Sequence, residues 1–150
     1  MSEPVDIADC LNGLIGATAD SEALFHAAAG DVRSEEARAL LLDRARRFGR
    51  AATALRTLAA ECGLVRVAPT ALGGATRIPP DDEAGILAEC ERREDGVILA
   101  YRDALECALP AGVHAVIARE FERLLASLGS LRAVRERAAR QRGQVAGRVL

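Results

Sequence analysis

Apolar positions along the chain recur at intervals of three and four residues. Leu11, Ile15, Thr18, Glu22, Phe25 and Ala29 follow this rule, then Leu41, Ala45, Phe48, Ala52, Leu55, Ala59 and Cys62. The spacing returns at Leu87, Cys90, Glu94, Val97, Tyr101 and Ala104, and again at Val113, Ile117, Glu120, Leu124, Ser127, Leu131 and Val134. Such spacing aligns side chains on one face of an α-helix, so four long helices are predicted. The first runs from about Val5 to Ala29, with Gly30 as a stop. The second is capped by Ser34, places Glu35 and Glu36 against the helix dipole, and ends near Cys62 before Gly63. The third opens at Asp81, Asp82 and Glu83 and continues to about Ala108. The fourth has Pro110 near its first turn and is expected to fray near Gly143. Residues 1–142 are therefore read as one helical bundle and 143–150 as a disordered tail.

The links between these helices differ in length. The first and last links are short. Leu64 to Pro80, about seventeen residues with Pro69, Gly73, Gly74, Pro79 and Pro80, is long for a connection inside a compact domain. Helices of this size are ~38–45 Å long, and seventeen extended residues reach ~55–60 Å. The connector can run the length of the bundle and leave the second and third helices parallel. An all-α, ferritin-like four-helix bundle with one long crossover is the predicted fold.

The stripes of the first and third helices each carry one carboxylate. Glu22 and Glu94 are carboxylates on faces expected to be buried, where a charge has to be paired, protonated or bound to a metal. With the crossover, Glu22 lies ~12–15 Å from the shared helix end and Glu94 ~18 Å from it. The two come nearly level, beside Arg44 and Arg47 of the second helix. Three readings stay open. In one, Glu22 and Glu94 form a buried polar layer with Arg44, Arg47 and Tyr101, since arginine binds carboxylates through a two-pronged fork. In another, the stripe is displaced by one residue and both carboxylates sit at a solvated edge. In the last, Glu22, Glu94, Glu91 and His26 hold a metal, with iron or manganese as the candidate ions. A di-iron bundle draws a Glu-x-x-His motif from each of two helices, and neither the second nor the fourth helix contains one.

Composition narrows the rest. Half of the 150 residues are apolar, with three Phe, one Tyr and no Trp. The core is therefore Leu, Ala and Val. The net charge of −2 gives no global field to attract nucleic acid. All twenty basic residues are arginine, each a permanent cation. The basic end of the fourth helix, Arg132 to Arg142, is better explained by the helix dipole than by nucleic acid or an anionic membrane. Cys10, Cys62, Cys90 and Cys107 show no metal-ligand or CxxC spacing. They are read as free thiols, Cys62 and Cys90 on buried faces, in a reducing cytoplasm. No secretory leader or membrane-spanning run is recognisable.

The segments Leu11-Asn12-Gly13-Leu14-Ile15 and Ile86-Leu87-Ala88-Glu89-Cys90-Glu91, extended by Glu94-Asp95, Tyr101-Arg102 and Leu109-Pro110, carry a family likeness. Over about Ala8 to Arg137 the chain resembles an uncharacterised bacterial family of ferritin-like four-helix bundles, a domain of unknown function distantly similar to rubrerythrin-like proteins. The resemblance implies the ferritin-like fold and no established activity. Family members tend to carry a His late in the fourth helix, where this chain has Leu128, and a Trp near the crossover, which it lacks. No catalytic residue is assigned. The expected role is a non-catalytic structural, interaction or stress-related module, able to pair as a homodimer through an Ala/Leu-rich face. The alternative is a di-iron-type carboxylate protein with oxidase or iron-handling activity.

Overall fold

A computed structural model describes residues 4–64, 82–127 and 130–148, with side chains between residues 7 and 141 of those ranges. Every regular element in it is an α-helix: α1 Pro4–Asp31, α2 Glu35–Glu61, α3 Glu83–Glu106, α4 Ala111–Leu125 and α5 Ser130–Arg148. The caps follow the local chemistry. The Ser34 side chain accepts the Ala37 N–H at 3.2 Å, and Asp82 accepts that of Gly85 at 2.8 Å. Gly63 terminates α2 at φ +76°, a conformation that strains residues with a Cβ.

Contacts at the helix ends fix the directions. The Glu83 carboxylate accepts the backbone N–H groups of Arg33 and Ser34 at 2.6 and 2.9 Å. The start of α3 is thereby held on the turn between α1 and α2. A disulfide joins Cys10 of α1 to Cys107 at the end of α3, which places those segments together at the opposite end. Helices α2 and α3 therefore run parallel, and α1 runs against both. The connection at 65–81, where most of the long crossover was expected, lies outside the described residues. Helix α5 runs back down α3, with Arg132 and Arg135 on Glu91, and Arg137 reaches Glu36 at the start of α2.

The cross-section is a square. Helix α1 packs on α2 and α3, and the α4–α5 arm packs on the same two helices. Among the described residues, neither α2 with α3 nor α1 with the α4–α5 arm makes a backbone approach, so these are the diagonals. Leu11, Leu14, Phe25, Leu41, Leu55, Leu87, Ile117 and Leu131 are fully buried between them. Phe25 and Phe48 meet edge to face with centroids 5.1 Å apart, a preferred aromatic geometry.

Several expectations are corrected. Helix α1 passes through Gly30 and ends at Asp31. The fourth predicted helix is two segments, because its backbone tightens where Ser127 N–H bonds to Leu124 C=O at 3.1 Å, and the Ser127 hydroxyl donates to the same carbonyl at 2.8 Å. Helix α5 continues through Gly143 to Arg148, since a single glycine inside a helix costs only ~1 kcal/mol. Cys62 is exposed rather than buried, because α2 is already ending there, and Cys90 is a buried free thiol. Cys10 and Cys107 are bonded rather than free. No described helix is long and apolar enough to cross a membrane.

Candidate functional site

Among the described residues the most buried ion pair is between Arg44 of α2 and Glu94 of α3. Arg44 Nε lies 3.3 Å from Glu94 Oε2, and the side chains are 2% and 4% exposed. The positions follow from helical phase. Arg44 comes three residues after Leu41 and four before Phe48, so it shares their buried face. Glu94 sits between Cys90 and Val97 on the α3 stripe, every member of which is buried. Neither Arg44 Nε nor Glu94 Oε2 makes a hydrogen bond. The contact is an ion pair, off the line a hydrogen bond requires. A second partner helps to hold the cation, because an Arg44 terminal N–H donates to the Ser127 carbonyl. That carbonyl is freed by the break between α4 and α5, and a cation there also meets the negative end of the α4 dipole.

Burial dominates the electrostatics of this pair. It raises the Glu94 pKa, which the Arg44 charge opposes and Asp95 and Glu91 reinforce. It lowers the Arg44 pKa against the pull of Glu94. For each group, lost hydration sets the direction of the shift and the opposite charge only opposes it.

The other residues singled out in the sequence are placed apart. Glu22 is half-buried at the edge of α1, its carboxylate lying over Gly49 of α2. Ser21 holds the buried position at that level and donates to the Ala17 carbonyl at 2.8 Å. Arg47 is exposed and bonds Asp43 at 2.8 Å. Glu91 is clasped by Arg132 and Arg135 of α5, and His26 is exposed. Among the described residues no three His, Cys, Asp or Glu side chains converge as metal ligands. Leu128, the position where the resemblance leads one to expect a histidine, lies outside the described residues.

Tyr101 is buried and stacks on Phe121, with centroids 5.6 Å apart and planes 12° from parallel. Burial raises its pKa, Glu120 adds to the rise, and a hydrogen bond with Thr18 opposes it. Glu120 itself is buried and bonds Arg123 at 3.0 Å. It occupies a stripe position of the fourth predicted helix just as Glu94 does on the third, so the same phase argument could have singled it out.

These groups border a cavity of about 360 Å³ between α2 and α4. Arg44, Arg47, Arg50, Arg123, Glu120 and Tyr101 form its polar lining, and Phe48, Ala51 and Leu124 contribute apolar wall. Arg50 and Arg123 were not singled out in the sequence. Each is one of twenty arginines, and only the approach of α4 to α2 brings them together.

A search of curated proteins finds no match to the chain. A family model described as a domain of unknown function (DUF2383) matches residues 6–107, from α1 to the end of α3. The match is shorter than the resemblance over about Ala8 to Arg137 expected from sequence, since it stops before α4. It includes Arg44 and Glu94, and by it the chain belongs to the DUF2383 family, a domain of unknown function.

Proposed function

We propose that the chain is a ferritin-like bundle serving as a non-catalytic structural or interaction module. The Arg44–Glu94 ion pair carries this reading. In a di-iron carboxylate bundle, inward-facing carboxylates balance the charge of metal cations. Here the inward-facing Glu94 is balanced by a guanidinium, and Glu91 is engaged by two more. The parallel course of α2 and α3 supports the ferritin-like arrangement, in which one long connection joins the middle helices.

Elemental analysis of protein purified without chelator tests the reading. Iron and manganese are expected far below one ion per chain in the parent and unchanged in Glu94→Gln. Stoichiometric metal that is lost in Glu94→Gln would establish a metal protein instead.

A further inference from the structure

The cavity between α2 and α4 has a composition that the bundle itself does not require. It is bordered by four guanidinium groups and one carboxylate, in a chain whose net charge is −2. Three of the cations have acidic partners: Arg44 with Glu94, Arg47 with Asp43, and Arg123 with Glu120. Arg50 has no ion pair among the described residues. Each guanidinium offers five N–H donors, more than the ion pairs with Glu94, Asp43 and Glu120 can engage. The three carboxylates offset three of the four cations, so Arg50 leaves one positive charge in excess at the cavity, which an anion would balance.

Two further features distinguish this arrangement from an accidental cluster of surface arginines. Arg44, 2% exposed, is fixed by Glu94 on one side and by the Ser127 carbonyl on another. Its charge cannot swing out to solvent, so part of the ordering that binding requires is already in place. The arginines also share the cavity with an apolar wall of Phe48, Ala51 and Leu124. The volume, about 360 Å³, falls at the small end of the range of small-molecule sites.

We propose that this cavity binds a small organic anion, with a carboxylate or phosphoryl head on the arginines and a short apolar body against Phe48, Ala51 and Leu124. Both heads are flat or tetrahedral oxygen clusters that suit guanidinium forks. The one excess positive charge favours an anion over a cation at this site.

Calorimetric titration at low salt with benzoate, phenyl phosphate and inorganic phosphate tests the proposal. One-to-one binding of benzoate or phenyl phosphate is expected, and the tighter of the two identifies the head group. Inorganic phosphate should bind more weakly than phenyl phosphate. Arg50, exposed and without an ion pair among the described residues, can be changed without removing the partner of a buried carboxylate, and Arg50→Gln should weaken binding about ten-fold. Arg56→Gln, also exposed on α2 but not lining the cavity, should leave it unchanged. Absence of binding to both organic anions at millimolar concentration would overturn the proposal. So would equal binding of inorganic phosphate, or equal losses in Arg56→Gln and Arg50→Gln.

Discussion

Arg44 Nε and Glu94 Oε2 lie 3.3 Å apart, although among the described residues the backbones of the helices that carry them do not come close. The pair spans a diagonal of the bundle. A long arginine side chain makes that reach, and the carbonyl released at the α4–α5 break steadies its far end. One buried cation thus ties α2 to both α3 and α4.

Removing only one partner of this pair should be severe. Arg44→Met leaves the Glu94 carboxylate buried without its cation and is expected to cost about 3–5 kcal/mol at neutral pH. Replacing both, Arg44→Met with Glu94→Leu, should recover the parent stability or exceed it by about 1–4 kcal/mol. Urea denaturation of the parent, the singles and the double gives the comparison. A double variant as unstable as Arg44→Met would show that the pair is worth more than its desolvation.

Two glutamates three residues apart on α3 should titrate in opposite senses. The Glu94 pKa is raised above its ordinary value of 4.5, chiefly by burial. Folded protein therefore holds that proton more tightly than unfolded protein, and the Glu94 contribution to stability falls as pH rises from about 4.5 through the folded value. For Glu91, burial pushes the pKa up, but the hydrogen bonds and charges of Arg135 and Arg132 together outweigh it and lower the pKa. Its contribution is complete above 4.5 and is lost as pH falls through the folded value. Stability measured from pH 3 to 8 should thus lose a downward component in Glu94→Gln and an upward one in Glu91→Gln. Identical profiles for both variants would contradict the assignment. The penalty of Arg44→Met should also shrink in acid, where Glu94 takes up a proton.

Thiol chemistry distinguishes the four cysteines. Cys62 is exposed and should react readily with a thiol reagent in native protein. Cys90 should not, since it is buried and burial, with the charges of Glu89 and Glu94, pushes its pKa up to about 12. Denaturation without reductant should reveal two thiols, and four after reduction. The cross-link spans a sequence separation of 97 residues, so Cys10→Ser should destabilise by about 4–5 kcal/mol if chain entropy governs its effect. Four thiols in unreduced, denatured protein would show the bond to be absent.

Two helical glycines offer a paired test. A Cβ at Gly96 in α3 would meet nothing within 4 Å, and Gly96→Ala should stabilise by about 0.5–1 kcal/mol. At Gly49 a Cβ would come within 2.9 Å of Glu22 Oε1. That carboxylate can move, so Gly49→Ala should gain less than Gly96→Ala, and the full gain should return when Glu22→Ala is added. Equal gains from the two single changes would show that the Glu22 carboxylate does not press on α2.

Helix positions were legible because the apolar stripes are long and the caps at Ser34 and Asp82 are chemically explicit. The parallel middle helices were legible from the length of one connection. Glu94 was legible because the α3 stripe has a single consistent frame. Helix α1 is different. Leu14, Thr18, Ser21, Phe25, Ala28 and Val32 form a second frame with the same spacing, one that contains no carboxylate. The fold buries that frame and leaves Glu22 at its edge. The α4–α5 break was hidden because Leu124, Ser127 and Leu131 keep helical spacing across it. At the break the Ser127 carbonyl accepts a hydrogen bond from Arg44, 83 residues away in the sequence, and no local pattern carries such information. The arginine-lined cavity was hidden for the same reason.

The grip of Glu83 on the Arg33 and Ser34 amides sets an order of assembly. Its two acceptor contacts join the start of α3 to the turn between α1 and α2, and they close a loop of some fifty residues. Loop closure of that length is entropically unfavourable until other contacts compensate it. The α1–α2 hairpin is therefore expected to form early, with α3 docking late. Glu83→Ala should leave the refolding rate near that of the parent and accelerate unfolding. Slower refolding in stopped-flow measurements would instead place the contact in the nucleus. If α3 docks late, a half-made molecule is an antiparallel helix pair with one bare apolar side, and the first residue of α3 helps to decide how long that side stays uncovered.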